Sequence, residues 1–110
     1  MAETAVTPDP ELVRALRALA NPVRLQILSW LRDPERNFPA ERVMADPHEV
    51  GVCVSHIQDK VGLAQSTVSA YMAELERAGL VSSTRVGKWT HYRRDERRIA
   101  TLVAELGSTL

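Results

Sequence analysis

Five polar side chains crowd the start of one segment. In residues 62–81, "GLAQSTVSAYMAELERAGLV", Gln65, Ser66, Thr67, Ser69 and Tyr71 lead into an ordinary amphipathic run. A helix made only to pack has no use for so many amides and hydroxyls at one end. They suit a surface of base edges and phosphates: Gln pairs in bidentate fashion with adenine, and Ser and Thr hydroxyls reach phosphates or bases. The N-terminus of a helix also favours an anion. Ser66 could by itself be a helix cap, but a cap does not account for the whole group. A second constellation lies in "GVCVSHI", where Cys53 and His56 stand three apart. On a helix they could share one divalent transition-metal ion, completed by His48 or by a residue of another subunit. Cys53 could instead be a site of oxidation, or a small buried residue beside a solvated His56.

Other chemistry is poorly represented. There is no Gly-rich phosphate loop, no paired catalytic carboxylates and no Ser/His/Asp grouping, and His48, His56 and His91 are scattered, so an enzyme is not expected. A single cysteine excludes an intrachain disulfide. The chain of 110 residues has an ordinary apolar share of 45%, with 14 basic and 14 acidic residues. That length implies one domain. No apolar run approaches a membrane span and the N-terminus lacks a signal pattern, so a cytoplasmic protein without a membrane partner is expected. The charge is unevenly placed: residues 79–98 carry six basic residues (Arg85, Lys88, Arg93, Arg94, Arg97, Arg98) against Asp95 and Glu96. Such a basic cluster on a neutral chain is an electrostatic footprint for phosphate or a solvated charged face.

The elements that must position these groups follow from periodicity. Residues 1–9 read as a loose arm and 10–110 as the folded domain. Leu12, Leu16 and Leu19 share a face of a first helix. "NPVRLQILSWL" starts a second, with Asn21 as cap and Pro22 at the first helical position. Residues 33–51 are broken by prolines, with room for a short helix around Ala40–Met44. "VSHIQDKVG" predicts a helix ended by Gly62, and a longer one runs from about Ser66 to Ala78. "LVSSTRVGKWTHYRRD" predicts two strands about Gly87, with Trp30 and Trp89 as structural residues and His91 facing DNA or packing. A last helix, capped near Asp95, carries Ile99, Leu102, Val103 and Leu106 on one face. The fold expected is mainly α with a small β-hairpin, in the order α-α-(α)-α-α-β-β-α: a winged helix-turn-helix. Its turn is packed by Ile57, Val61, Leu63, Val68 and Met72, and its wing carries Arg85, Lys88, Arg93 and Arg94.

The segments "ALANPVRLQILSWL", "GVCVSHIQDKVGLAQSTVSAYMAELERAGLV" and "RVGKWTHYR" resemble the ArsR/SmtB (arsenic-repressor) family of winged-helix transcription regulators, over roughly Leu12 to Leu106. The resemblance implies a repressor that binds a palindromic double-stranded DNA operator as a homodimer built on the first and last helices. The stripes Leu12/Leu16/Leu19 and Ile99/Leu102/Val103/Leu106 suit such a seam. Metal-binding members carry a Cys-Val-Cys box, which reads Cys53-Val54-Ser55 here, so the three-sulfur site is not available. The last helix holds no His, which removes the family's other common metal site. The signal is then an ion at Cys53 and His56, oxidation of Cys53, a small-molecule effector or a partner protein. A winged helix used only for protein contact is the remaining alternative.

Overall fold

A computed structural model describes residues 8–39 and 49–110. In chain order the elements are α1 (Pro10–Leu19), α2 (Pro22–Leu31), α3 (Pro34–Asn37), β1 (Val52–Cys53), α4 (Val54–Val61), α5 (Gln65–Arg77), β2 (Val81–Val86), β3 (Trp89–Arg94) and α6 (Glu96–Thr109). The helix expected around Ala40–Met44, His48 and most of the expected arm lie outside the described residues. Two elements were not foreseen. The prolines of residues 33–51 read as breaks, yet Pro34 starts the one-turn α3, with Asp33 accepting from the Arg36 N–H at 3.4 Å. The other is β1, which makes the hairpin a three-stranded antiparallel sheet in the order β1-β3-β2.

The helix boundaries have local causes. Asn21 Oδ1 accepts from the N–H groups of Val23 and Arg24 at 2.9 and 3.0 Å, satisfying two orphan donors of α2. Asp95 caps α6 through the Arg98 N–H at 2.9 Å. At the end of α5, Gly79 takes φ 77°; its N–H reaches Glu76 O and the Leu80 N–H reaches Leu75 O, the two bonds of a Schellman motif. Leu75 and Leu80, which that motif brings together, are both fully buried.

The core is assembled from Ile27 of α2, Ile57 of α4, Val68, Met72 and Leu75 of α5, and Leu80. Leu12, Ala15 and Ala18 of α1 and Leu102 of α6 join it. The two stripes expected to form a seam divide between this core and the surface. Leu102 is 3% exposed and Leu12 5%, so both are occupied inside one chain. Leu16 and Val103 of the same stripes point outward, Val103 being 63% exposed, while Leu19, Ile99 and Leu106 are half-buried against the core. Leu63, expected to pack the turn, is exposed as well. Trp30 is structural as expected: it meets Phe38 edge-on, with ring centroids 6.5 Å apart, and Lys60 Nζ lies 5.0 Å from its ring centroid. Among the described residues no helix is long and apolar enough to cross a membrane.

Candidate nucleic-acid interface

Helix α4 ends at Gly62, whose φ of 76° only glycine adopts cheaply. Leu63 and Ala64 complete the turn, and α5 starts at Gln65. Its N-cap is Ala64, which offers no side-chain acceptor, and the first turn holds no acidic residue. Ser66 is therefore not the cap but the second helical residue. Among the described residues no side chain caps the first N–H groups of α5, at the end of the helix that carries partial positive charge.

Around that end the side chains sort by helical position. Gln65, Ser66 and Ser69 are exposed, Thr67 is half-buried, and Val68 and Met72 face the core. Ser66, Ala70, Ala73 and Arg77 follow one ridge at the spacing of helical turns. Ala70 is exposed, and its small side chain permits close approach of a flat surface; the sequence reading missed it because alanine advertises no chemistry. Tyr71 is drawn away from this group. It lies roughly 140° around the helix from Ser66, half-buried, with the Arg24 guanidinium carbon 5.3 Å from its ring centroid. Arg24 is itself held by the end of α1, donating from Nε to Ala18 O at 2.7 Å and from Nη2 to Arg17 O at 3.2 Å. The pair fixes α5 against the turn between α1 and α2.

The wing is the β2–β3 hairpin, paired from Val81↔Arg94 through Arg85↔Thr90 to Val86↔Trp89. Gly87 has φ 63° and Lys88 a negative φ, the pattern of a two-residue type II′ turn. Arg85, Lys88 and Arg93 are exposed. Arg94 departs from expectation: its side chain is only 12% exposed and forms a bidentate pair with Glu96 at 2.9 and 3.0 Å. Its Nη1 also donates to Leu28 O of α2 at 3.3 Å. That guanidinium is spent on fastening the base of the wing. Trp89, expected to be structural, is 52% exposed beside the tip. His91 is a packing residue, 6% exposed. Ser83 Oγ donates to Glu76 Oε2 at 2.7 Å and ties the wing to α5.

Cys53 and His56 lie on either side of the start of α4. Cys53 is the last residue of β1, its sulfur 3.2 Å from Ser55 Oγ. His56 lines a hollow with Asn37, Phe38, Pro39, Asp59 and Lys60, in which Cys53 has no part. Among the described residues no three His, Cys, Asp or Glu side chains are close enough to hold a metal.

A helix-turn-helix with an uncapped polar helix end, followed directly by a basic wing, defines a winged helix-turn-helix DNA-binding regulator. Comparison with known proteins gives the family. Residues 52–83 match the one described as "Bacterial regulatory protein, arsR family". The chain is 48% identical over 93 residues to YbzH of Bacillus subtilis (strain 168), described as an "Uncharacterized HTH-type transcriptional regulator", covering 84% of this chain and 91% of that one. It is 33% identical over 102 residues to a "Probable mercury resistance operon repressor" of Streptomyces lividans, covering 93% and 69%. In structure it is similar to the homodimeric winged helix-turn-helix DNA-binding domain of a possible ArsR-family regulator from Mycobacterium bovis, with TM-score 0.63 and 27% identity, covering 96% and 89%. The chain belongs to the arsR family of bacterial transcriptional regulators.

Proposed function

We propose that this regulator is a repressor that binds a palindromic operator as a homodimer, with α5 in the major groove and the wing along the adjacent backbone or minor groove. One observation carries the reading: the first turn of α5 has no side-chain cap, and exposed Gln65, Ser66 and Ser69 surround its free N–H groups. Gln65 reads a base edge, Ser66, Thr67 and Ser69 reach phosphates or bases, and Arg85, Lys88 and Arg93 neutralise phosphates. Tyr71 and Arg94 serve as positioning residues. Exposed Trp89 adds an apolar surface that a wing tip can lay against sugar or a base step. The homodimeric relative from Mycobacterium bovis and the exposed Leu16 and Val103 support assembly through α1 and α6. Two reading helices would then lie about 34 Å, one DNA turn, apart.

The experiment is a mobility shift on the chain's own promoter region against random DNA of equal length. Wild type should show a salt-dependent complex specific for the promoter. Alanine at Gln65 should weaken that complex by about 1–3 kcal/mol, the worth of a bidentate base contact. Unchanged affinity in alanine variants of Gln65, Ser66, Thr67 and Ser69 together would move the reading surface elsewhere. Absence of any salt-dependent shift would favour a protein-contact module.

A further inference from the structure

The outer half of the wing has little to hold it. Among the described residues, β1 backs β3 at Tyr92 and His91, which stand opposite Ser83 and Thr84 of β2. From Arg85 to Thr90 the wing is a two-stranded ribbon, a form that is marginally stable in water. At the rise of a strand its tip, Gly87, lies about 20 Å from Val81. A tilt of about 10° at the base would carry the tip about 3.5 Å, more than a hydrogen bond to phosphate tolerates. Among the described residues one hydrogen bond joins α5 to this hairpin: Ser83 Oγ donates to Glu76 Oε2 at 2.7 Å. It falls two residues before Arg85, and Ser83 and Arg85 leave β2 on the same face. Tyr92 stands opposite Ser83, and after burial it is the Glu76 charge that raises its pKa, so the carboxylate acts on both strands. Glu76 is exposed and lies about 16 Å along α5 from Gln65, away from the polar start of the helix.

We propose that Glu76 is a positioning residue for DNA binding: its bond with Ser83 holds the wing at the angle where Arg85 and Lys88 meet phosphate while the start of α5 lies in the groove. The inference rests on the reading of α5 and the wing given under the proposed function. A wing fixed before the encounter spares the complex the cost of ordering it. The rival role for an exposed carboxylate on a DNA-binding protein is plain repulsion of phosphate. The two roles differ in sign. Repulsion alone means that loss of the charge strengthens binding to every DNA. Loss of the tie weakens binding, even though a negative charge has gone.

The test is a fluorescence-anisotropy titration of labelled promoter DNA and random DNA with full-chain variants, at several salt concentrations. Ser83→Ala and Glu76→Ala should each weaken promoter binding about fivefold, the net worth of one hydrogen bond. Each should also lower the salt slope, by up to the about 2 that two phosphates supply. The double variant should lose no more than either single one, because both remove the same bond. Ser83→Thr, which keeps the hydroxyl, and Glu76→Gln, which keeps an acceptor without the charge, should restore what alanine loses. Ser83→Val has the shape of Thr without the hydroxyl and suits a strand, so it decides the question where an alanine variant unfolds. It should match the alanine loss. Additive losses in the double variant, or Ser83→Val binding as Ser83→Thr does, would overturn the proposal. So would equal gains in Glu76→Ala and Glu76→Gln, which would leave Glu76 a charge and nothing more. Arg85→Ala and Lys88→Ala separate the tie from the wing itself. If they leave the salt slope unchanged, the wing does not meet phosphate and both readings fall. If they lower it and Ser83→Ala does not, the tie alone falls.

Discussion

Tyr92 sits in the middle of the sheet, opposite Ser83 on one side and Val52 on the other. Burial, and secondarily the charge of Glu76, raise its pKa above the usual 10.0. The folded state therefore holds the neutral phenol more firmly than the unfolded chain does. That contribution is complete below the ordinary tyrosine value and is lost as pH rises above it through the folded value. Tyr92→Phe should accordingly flatten the alkaline decline in stability, read from denaturant midpoints on either side of pH 10. An identical decline in both proteins would show that another group titrates. The exposed cations of the wing belong to the same scale. Arg85→Ala and Lys88→Ala should each weaken promoter and random DNA alike and lower the salt slope by about 1. A loss confined to the promoter, at a fixed slope, would mean that they read bases. Arg94 shows why charge alone is a poor guide to contact. It is one of six cations in the basic stretch, but Glu96 and the Leu28 carbonyl already occupy it.

Helix starts and tight turns are the elements on which this fold depends. Asn21→Ala removes the acceptor for two N–H groups at the start of α2 and should cost about 1 kcal/mol, measured by urea unfolding. A change below a few tenths would mean that water replaces the cap. Gly51 is stricter. It takes φ 100°, and an added Cβ would collide with the carbonyl carbon and oxygen of Tyr92 in the neighbouring strand. Gly51→Ala should cost more than ~1 kcal/mol, since it combines strain at a positive φ with a backbone clash. Gly87 also has positive φ, but open space surrounds it, so alanine there should meet the strain alone. Near-equal losses at the two positions, compared by thermal unfolding, would remove the clash from the account.

At the scale of the whole molecule, two helices carry both a core face and a free face. In the proposed dimer, Leu16 and Val103 meet the partner, whereas Leu12 and Leu102 belong to the core of each chain. Leu16→Glu with Val103→Glu should give folded monomers by sedimentation and circular dichroism, with loss of promoter binding. Leu102→Glu should instead unfold the chain, because an unpaired charge in the core costs several kcal/mol. A double variant that remains a dimer would place the seam on another surface.

Signals confined to a few neighbouring residues were enough for much of this. Asn21-Pro22, Asp95, Gly62, Gly79 and Gly87 mark starts, stops and the hairpin because caps and positive φ act within one turn of chain. Apolar periodicity supplied the helices, and the polar cluster from Gln65 to Ser69 marked the polar start of α5. Other features required the assembled chain. β1 is two residues long, too short for any periodic signal, and exists only because β3 offers it a ladder. Its register is what sets Cys53 opposite His91. The rotation of α1 and α6 in their packing decides which leucines enter the core and which remain for a partner. Tyr71 and Arg94 meet partners that spacing hides for the same reason: Arg24 and the Leu28 carbonyl come from another part of the chain. Periodicity defines a face, but only packing says what covers it.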